Sequence, residues 1–562
     1  MKKQNKNDNA ANRKSYVGKI YNLGEAKQKK FILKSLKPEW AKLHKEGYIH
    51  IHDLDAYGLT YNCLTFDIIN AFPYKNFDGL NQTEKIVMVF DFLKELLAKI
   101  GNEQSGGMSF ANFDKDFAYI FAKLDVTFKG NEDIFKAAIN SFINWCNNMH
   151  TRMGQTSYYV TINIGLGTDQ FSRFITDTIL SCFYKSGELV YKPNIVFKVH
   201  KGINRFKNDP NYDLLEKSLL CSTKKMIPTY LLCDCDANRY TNPLVLSIMG
   251  CRTRVVDDVH GLVGAIGRGN IDNISINLPR LALEASTEYD NPKMRIESFK
   301  QKWLKIANAT KDILIDRFNK TCESDLLLFP TNLEYKLWCE DIKEVGLSKT
   351  FKHGTLSIGF IGLSEAFEIM TGEKYWTNEK NRSIALKIVA FMKSYVDFLR
   401  DTLHMNFSLL ATSGELISGR FIKLDQKKFK NKLLKKGFYT NSFHVDVDSK
   451  LPAYRKLEIE GPFHIYSNGG CISYIELSEA PLGNVEGLDD LIEIAIKSGV
   501  HYLGFNFPKD ICSDCGTSGT FDKCPSCGSK HITRIRRVSG YLEVQDFFTS
   551  GKMNECNRRK AN

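Results

Sequence analysis

Apolar positions in the first third of the chain recur at helical spacing. From about Glu25 to Glu46 they predict an amphipathic helix. Asn81, followed three residues later by Glu84, reads as the capping start of an apolar helix running to about Ile100. The glycine-rich GNEQSGGMSF (101–110) breaks it. A further helix is expected over 131–149, with Ile134, Ala138 and Ile143 on one stripe. Between the first two helices, YIHIHDLDAYGLTYNCLTFD (48–67) reads as a loop and a short strand. His50 and His52 alternate there and so share a face.

The period then changes. SYYVTINIGLG (157–167), PNIVFKVHKG (193–202), MIPTYLL (226–232) and VLSIMGCRTRVV (245–256) are strand-like, with a helix near Tyr212–Ser222. NISINLPRLAL (273–283) and GTLSIGFIGLSEAF (354–367) begin as strands and run into helical patterns. Long helices are expected over 292–325 and 378–405. Buried-looking strands alternating with helices argue an α/β architecture built on a large sheet or barrel. No linker breaks the pattern before about residue 505, so 25–505 reads as one unit.

Composition changes this picture little. The chain has 562 residues, 43% hydrophobic and 25% charged, the mixture of a soluble globular protein. The polar, basic opening MKKQNKNDNAANRKS has no apolar core of a secretory signal, and no apolar run approaches 18 residues. A cytoplasmic protein without membrane spans is expected. The net charge of +13 comes from lysines spread along the chain. That favours a solvated surface or binding of nucleotide phosphates over a nucleic-acid partner. The 15 cysteines are an odd number in a long chain without a secretion signal, which argues against a disulfide framework.

Four of them form CSDCGTSGTFDKCPSCG (512–528): Cys512, Cys515, Cys524 and Cys527, in two C-x-x-C pairs, each followed by glycine. This spacing suits a closed tetrahedral zinc site that braces the fold. An iron–sulfur cluster is the rival, since it also takes four thiolates. Lys530, Arg534, Arg536 and Arg537 lie just beyond, so a zinc ribbon that binds nucleic acid is a second reading.

Several stretches, in order, then resemble one family. They are IHIHDLD and the NC that ends at Cys63, MGCRTRV (249–255), GRGN (267–270) with SINLPRLA (275–282), SNGGCISYIEL (467–477), the four-cysteine cluster and RRVSGYL (536–542). Together they look like the catalytic subunit of the anaerobic, class III ribonucleotide reductases, which are glycyl radical enzymes. The resemblance covers roughly residues 20–562.

The chemistry of that family makes sense of the residue types. Loss of the ribose 2′-hydroxyl becomes feasible once a hydrogen atom leaves C3′, and a sulfur radical can remove it. A glycine α-carbon can store the radical, because no β-carbon crowds the planar centre. By resemblance, Gly540 is the store and Cys251 becomes the thiyl radical. Cys63 delivers hydrogen from the opposite ribose face, and Asn270 bonds the substrate hydroxyls. The resemblance implies a ten-stranded β/α barrel with a C-terminal zinc ribbon and radical loop. It divides the chain into a disordered tail (1–20), a catalytic barrel (21–505), a zinc ribbon (506–532) and the radical loop with its C-terminal tail (533–562). IHIHDLD stands too near the start for an N-terminal regulatory nucleotide domain, so none is expected.

The same resemblance implies ribonucleoside triphosphates as substrates, formate as reductant, nucleotide effectors and a homodimer. A separate radical S-adenosylmethionine enzyme with a 4Fe–4S cluster would install the radical. This chain lacks the C-x-x-x-C-x-x-C run of such an activator. Formate-lyase or dehydratase glycyl radical enzymes are the alternative; formate-lyases use adjacent cysteines, and no Cys-Cys pair exists here. Cys471 and Cys556 receive no role, and His50 and His52 are expected to pack or hydrogen-bond near the active site.

Overall fold

The computed structural model describes residues 15–150 and 158–562. Most of the expected tail lies outside them. Residues 16–20 do not: they open a helix, Tyr16–Ser35, whose first turn is capped by the Ser15 hydroxyl accepting from Gly18 N at 3.0 Å. Pro38 starts a second helix, Pro38–Glu46, so the single helix expected over 25–46 is two. The Asn81/Glu84 cap is present with both reciprocal bonds and opens Gln82–Ile100.

The core is one mixed sheet wound around its own axis. Its first half is parallel: β2 (Cys63–Thr65), β3 (Met108–Phe110), β4 (Val160–Ile164), β5 (Asn194–Val199) and β6 (Thr229–Leu232), with β1 (Ile49–Ile51) before them. A short hairpin follows, β7 (Ile248–Met249) and β8 (Thr253–Arg254). The second half holds β9 (Arg268–Asn277), β10 (Thr355–Ile361), β11 (Phe407–Ala411), β12 (Ser473–Glu476) and β13 (Tyr502–Asn506). Strands β9–β11 are parallel to one another, as are β12 and β13. The halves join antiparallel, β2 to β9 and β6 to β13. A parallel bridge between Leu410 and Gly470 links β11 to the chain entering β12 and completes the circuit. The path runs through ten strands, and β1 pairs with β9 off it, making an eleven-stranded sheet. Helices on the outside connect successive strands, which is why the strands read as continuous apolar runs.

The lumen is filled by the β7/β8 hairpin. VLSIMGCRTRVV reads as one strand from its β-branched residues, but Gly250 turns the chain (φ +58°) and makes a finger with Cys251 at its tip. Polar residues facing inward from the barrel hold it. Ser109 Oγ donates to Ile248 O at 2.9 Å, Ile248 N donates to Asn163 Oδ1 at 3.1 Å, and Thr161 Oγ1 donates to Gly250 O at 3.2 Å. These three polar side chains are fully buried, so satisfying them with the finger backbone avoids a large penalty.

After the barrel comes a four-stranded sheet in the order β15 (Ser518–Gly519), β14 (Lys509–Cys512), β16 (Ile532–Arg537), β17 (Leu542–Val544). The expected boundary at 532/533 falls inside β16, so ribbon and radical loop share one sheet. The end of the chain is a helix, Ser550–Arg558, docked on the barrel, not a loose tail. Lys560 N donates to Val447 O at 2.9 Å and Asn562 N to Glu476 O at 2.7 Å. No helix among the described residues is long and apolar enough to cross a membrane.

Candidate active site

The hairpin between β16 and β17 carries Gly540 at its tip into the barrel, against the finger. The Gly540 backbone has φ +138°, a conformation that side-chain-bearing residues rarely adopt. A methyl group at its α-carbon would overlap Cys251 Cβ and lie 3.4 Å from Cys251 Sγ. One C–C bond is about 1.5 Å, so the Gly540 α-carbon itself is within about 5 Å of that sulfur.

Three arginines, Arg252 and Arg537 buried and Arg559 half-buried, hold the loop by its carbonyls or by the strand that leads to it. Arg252, next to Cys251, donates to Ser539 O at 2.9 Å. Arg559 donates to Arg537 O at 2.6 Å and Val538 O at 3.1 Å. The Arg537 guanidinium reaches Phe505 O, Asn506 Oδ1 and Met226 O across the barrel seam. Lys552 of the terminal helix bridges Glu415, which lines the cavity, and Glu543, just after the loop. Burial disfavours the Lys552 charge, yet the two carboxylates hold its pKa above the ordinary value.

Cys63 opens onto the same cavity as Cys251. Its Sγ donates to Asn62 Oδ1 at 2.8 Å and accepts from Gly107 N at 3.1 Å. Burial pushes this thiol up to about 12, against the pull of the Gly107 N–H, so it keeps its hydrogen at neutral pH. The strand β3 was hidden in GNEQSGGMSF because the glycines just before it make close approaches possible. A β-carbon at Gly106 would meet Cys63 Sγ at 2.7 Å, and one at Gly107 would meet the finger's Gly250 Cα at 2.7 Å.

Asn270 is held within the sheet. Its amide donates to Thr355 O, Thr355 Oγ1 and Ser357 Oγ at 2.9–3.1 Å, which braces β9 to β10. It does not line the cavity. The amides that do are Asn62 and Asn273. Asn62 is aimed by Asp53 (3.0 Å) and Ser105 (3.3 Å). Asn273 shares its face of β9 with Ser275, which meets His52 and Thr412 at 2.8 Å each. A register shift in β9 after Asn270 sets Asn270 opposite Thr355 and Asn273 opposite Ser357, so both asparagines lie on one face of the sheet, with Asn270 paired to Cys63 on its other side. His52 thus hydrogen-bonds at the cavity wall, and His50 is buried between the rings of His44 and His52.

Cys471 lies outside the cavity with His501 (3.6 Å) and His464. His464 Nδ1 accepts the His501 amide at 3.1 Å, and its Nε2 meets Ser473 Oγ at 3.0 Å. Cys556 is half-buried on the terminal helix.

The four ribbon cysteines converge as their spacing predicts. Their sulfurs all lie within 4.8 Å of one another, with Cys512–Cys527 and Cys515–Cys524 at 3.5 Å. A tetrahedral zinc with 2.3 Å bonds needs S···S edges of about 3.8 Å, so the set fits. Several nearby basic residues are already paired or buried, which weakens the nucleic-acid reading. Arg534 pairs with Asp522 and Arg536 with Asp510, each at 2.7 Å, and Arg537 is buried.

The family model described as anaerobic ribonucleoside-triphosphate reductase matches residues 8–561. The chain belongs to the anaerobic ribonucleoside-triphosphate reductase family. It is 30% identical to that reductase from Escherichia coli (strain K12), over 92% of this chain and 77% of the relative. It is 29% identical to the Enterobacteria phage T4 reductase, over 94% of this chain and 92% of the relative. In fold it matches the Thermotoga maritima anaerobic ribonucleotide reductase solved with dATP in the specificity site. That match has a TM-score of 0.73 and 15% identity, and covers 95% of this chain and 92% of that one. The chain is therefore an oxidoreductase that reduces ribonucleoside triphosphates anaerobically, with the mixed α/β fold and glycyl radical chemistry of its family.

Proposed function

We propose that Gly540 stores the radical, Cys251 becomes the thiyl radical that takes hydrogen from ribose C3′, and Cys63 returns hydrogen toward C2′. The observation that carries this reading is the contact between the Gly540 α-carbon and Cys251 inside a cavity that Cys63 also lines. A hydrogen atom passes from Cys251 Sγ to the Gly540 α-carbon, breaking S–H and forming C–H. The thiyl then acts on a ribose held between the two sulfurs. Cys63, kept protonated by burial, is suited to give a hydrogen atom. Asn270, on the same face of β9 as the cavity-lining Asn273, holds the ribose hydroxyls, with Asn62 and Asn273 placed beside it.

Several features are carried by family resemblance. Formate is the expected reductant. A radical S-adenosylmethionine enzyme with a 4Fe–4S cluster is the expected activator, acting on a loop that swings out and returns. Nucleotide effectors are expected in view of the dATP-bound Thermotoga maritima relative, and a homodimer and a cytoplasmic location are expected with them. Zinc, held by Cys512, Cys515, Cys524 and Cys527, would anchor the sheet from which the loop hangs. Ribbon and loop form one C-terminal module after the barrel.

The test is anaerobic activation followed by electron paramagnetic resonance and a nucleotide reduction assay with and without formate. A glycyl doublet with formate-dependent deoxynucleotide is expected. Turnover without any organic radical would refute the reading.

A further inference from the structure

Arg252 has no part in the chemistry above, yet its placement is specific. It is only 1% exposed, and Glu415 acts on it through space and not through a direct ion pair among the described residues. A buried cation without a directly bonded counter-ion is costly unless its hydrogen bonds matter. One terminal nitrogen donates to Ala411 O at 3.4 Å and the other to Ser539 O at 2.9 Å, while Nε has no partner. The Ser539 carbonyl belongs to the peptide group that joins Ser539 to Gly540. The residue beside the thiyl candidate thus grips the peptide beside the radical store.

We infer that Arg252 is a positioning residue that tunes hydrogen-atom exchange between Gly540 and Cys251 by fixing and polarising the Ser539–Gly540 peptide. This rests on the reading of Gly540 as the radical store. A glycyl radical is stabilised by electron donation from its own amide nitrogen. A guanidinium on the Ser539 carbonyl draws that nitrogen's lone pair toward the oxygen and away from the α-carbon. Such preorganised charge is effective because the site is dry. The radical on Gly540 is thereby raised in energy relative to a thiyl on Cys251, and the transfer becomes less uphill. In that step the Cys251 S–H bond breaks, a C–H bond forms at Gly540, and no charge moves. The bond also fixes the spacing, because Arg252 and Cys251 are neighbours in one turn of the finger.

The test uses full-length Arg252→Gln and Arg252→Lys, activated anaerobically beside the wild type. Spins are counted by electron paramagnetic resonance, and turnover per spin is measured over a range of nucleotide concentrations. Both variants should form the glycyl doublet. Turnover per spin should fall tenfold or more in Arg252→Gln and less in Arg252→Lys, with KM within twofold of wild type. If Arg252→Gln loses its zinc or its cooperative melting, the Lys variant carries the comparison. Turnover per spin within twofold of wild type in both variants would overturn the inference, as would a loss confined to KM. A doublet that persists in Gly540→Ala would instead remove the reading on which the inference rests.

Discussion

Gly540 stands so close to Cys251 that the space a methyl group would need at its α-carbon is already filled by the Cys251 β-carbon. Gly540→Ala therefore meets two obstacles, a positive φ and an overlap, besides placing a β-carbon on the radical centre. The variant should retain its zinc, show no glycyl doublet after activation, and form no deoxynucleotide. Metal analysis and electron paramagnetic resonance on one preparation check this.

Cys251→Ala removes the sulfur and leaves the loop's arginine anchors in place. It should accept the radical at near wild-type yield and turn over at least a thousandfold more slowly, on the order of the effect of removing a reacting group. Loss of the radical itself would mean that Cys251 serves the loop's seating and not the chemistry.

Cys63 should behave as a thiol across the working range. Its pKa is raised from 9.0 to about 12, so at pH 8 its thiolate fraction is roughly a thousandth of an unperturbed cysteine's. Iodoacetamide at pH 8, followed by peptide mass spectrometry, should label other accessible cysteines first. Cys63→Ala should keep the glycyl radical and make no deoxynucleotide.

The two asparagines separate by assay. Asn273→Ala should lower kcat/KM tenfold or more with little change in Tm. Asn270→Ala removes a buried amide bonded to Thr355 and Ser357 and should cost about 1–3 kcal/mol of stability. Urea unfolding beside nucleotide-reduction kinetics distinguishes them.

His464 gives the fold a pH dependence. Burial depresses it to about 3, in a pocket shared with His501 and reached by Glu460 through Ser473. Below its ordinary value of 6.5 the unfolded chain takes a proton that the native state refuses. Stability is therefore full above pH 6.5 and is lost as pH falls toward 3, by about 1.4 kcal/mol per unit. Urea midpoints at pH 7.5 and 5.5 should show the drop, and His464→Gln should flatten it.

Local signals were legible and approach-dependent ones were not. The Asn81/Glu84 cap and the helix behind it are written in hydrogen bonds between neighbours. The ribbon cysteines are written in their spacing. Strand β3 was hidden because the glycines just before it, Gly106 and Gly107, serve contacts with Cys63 and Gly250, partners distant in sequence. The finger looked like one strand because its β-branched residues outweigh a single turn glycine. Asn270 and Asn273 share a face of β9 only because the register shifts between them, and no local pattern marks that shift. The helix from Tyr16 was obscured by the basic residues on its exposed face.

The most direct test exposes anaerobically activated protein to air and maps the cleavage site by mass spectrometry. A radical on the Gly540 α-carbon reacts with oxygen and breaks the chain there. A product truncated at Gly540, with loss of residues 541–562 and no cleavage in Gly540→Ala, is the expected result. An intact chain after air exposure of protein that had shown the doublet, or a cut elsewhere, would contradict the assignment of the radical to Gly540.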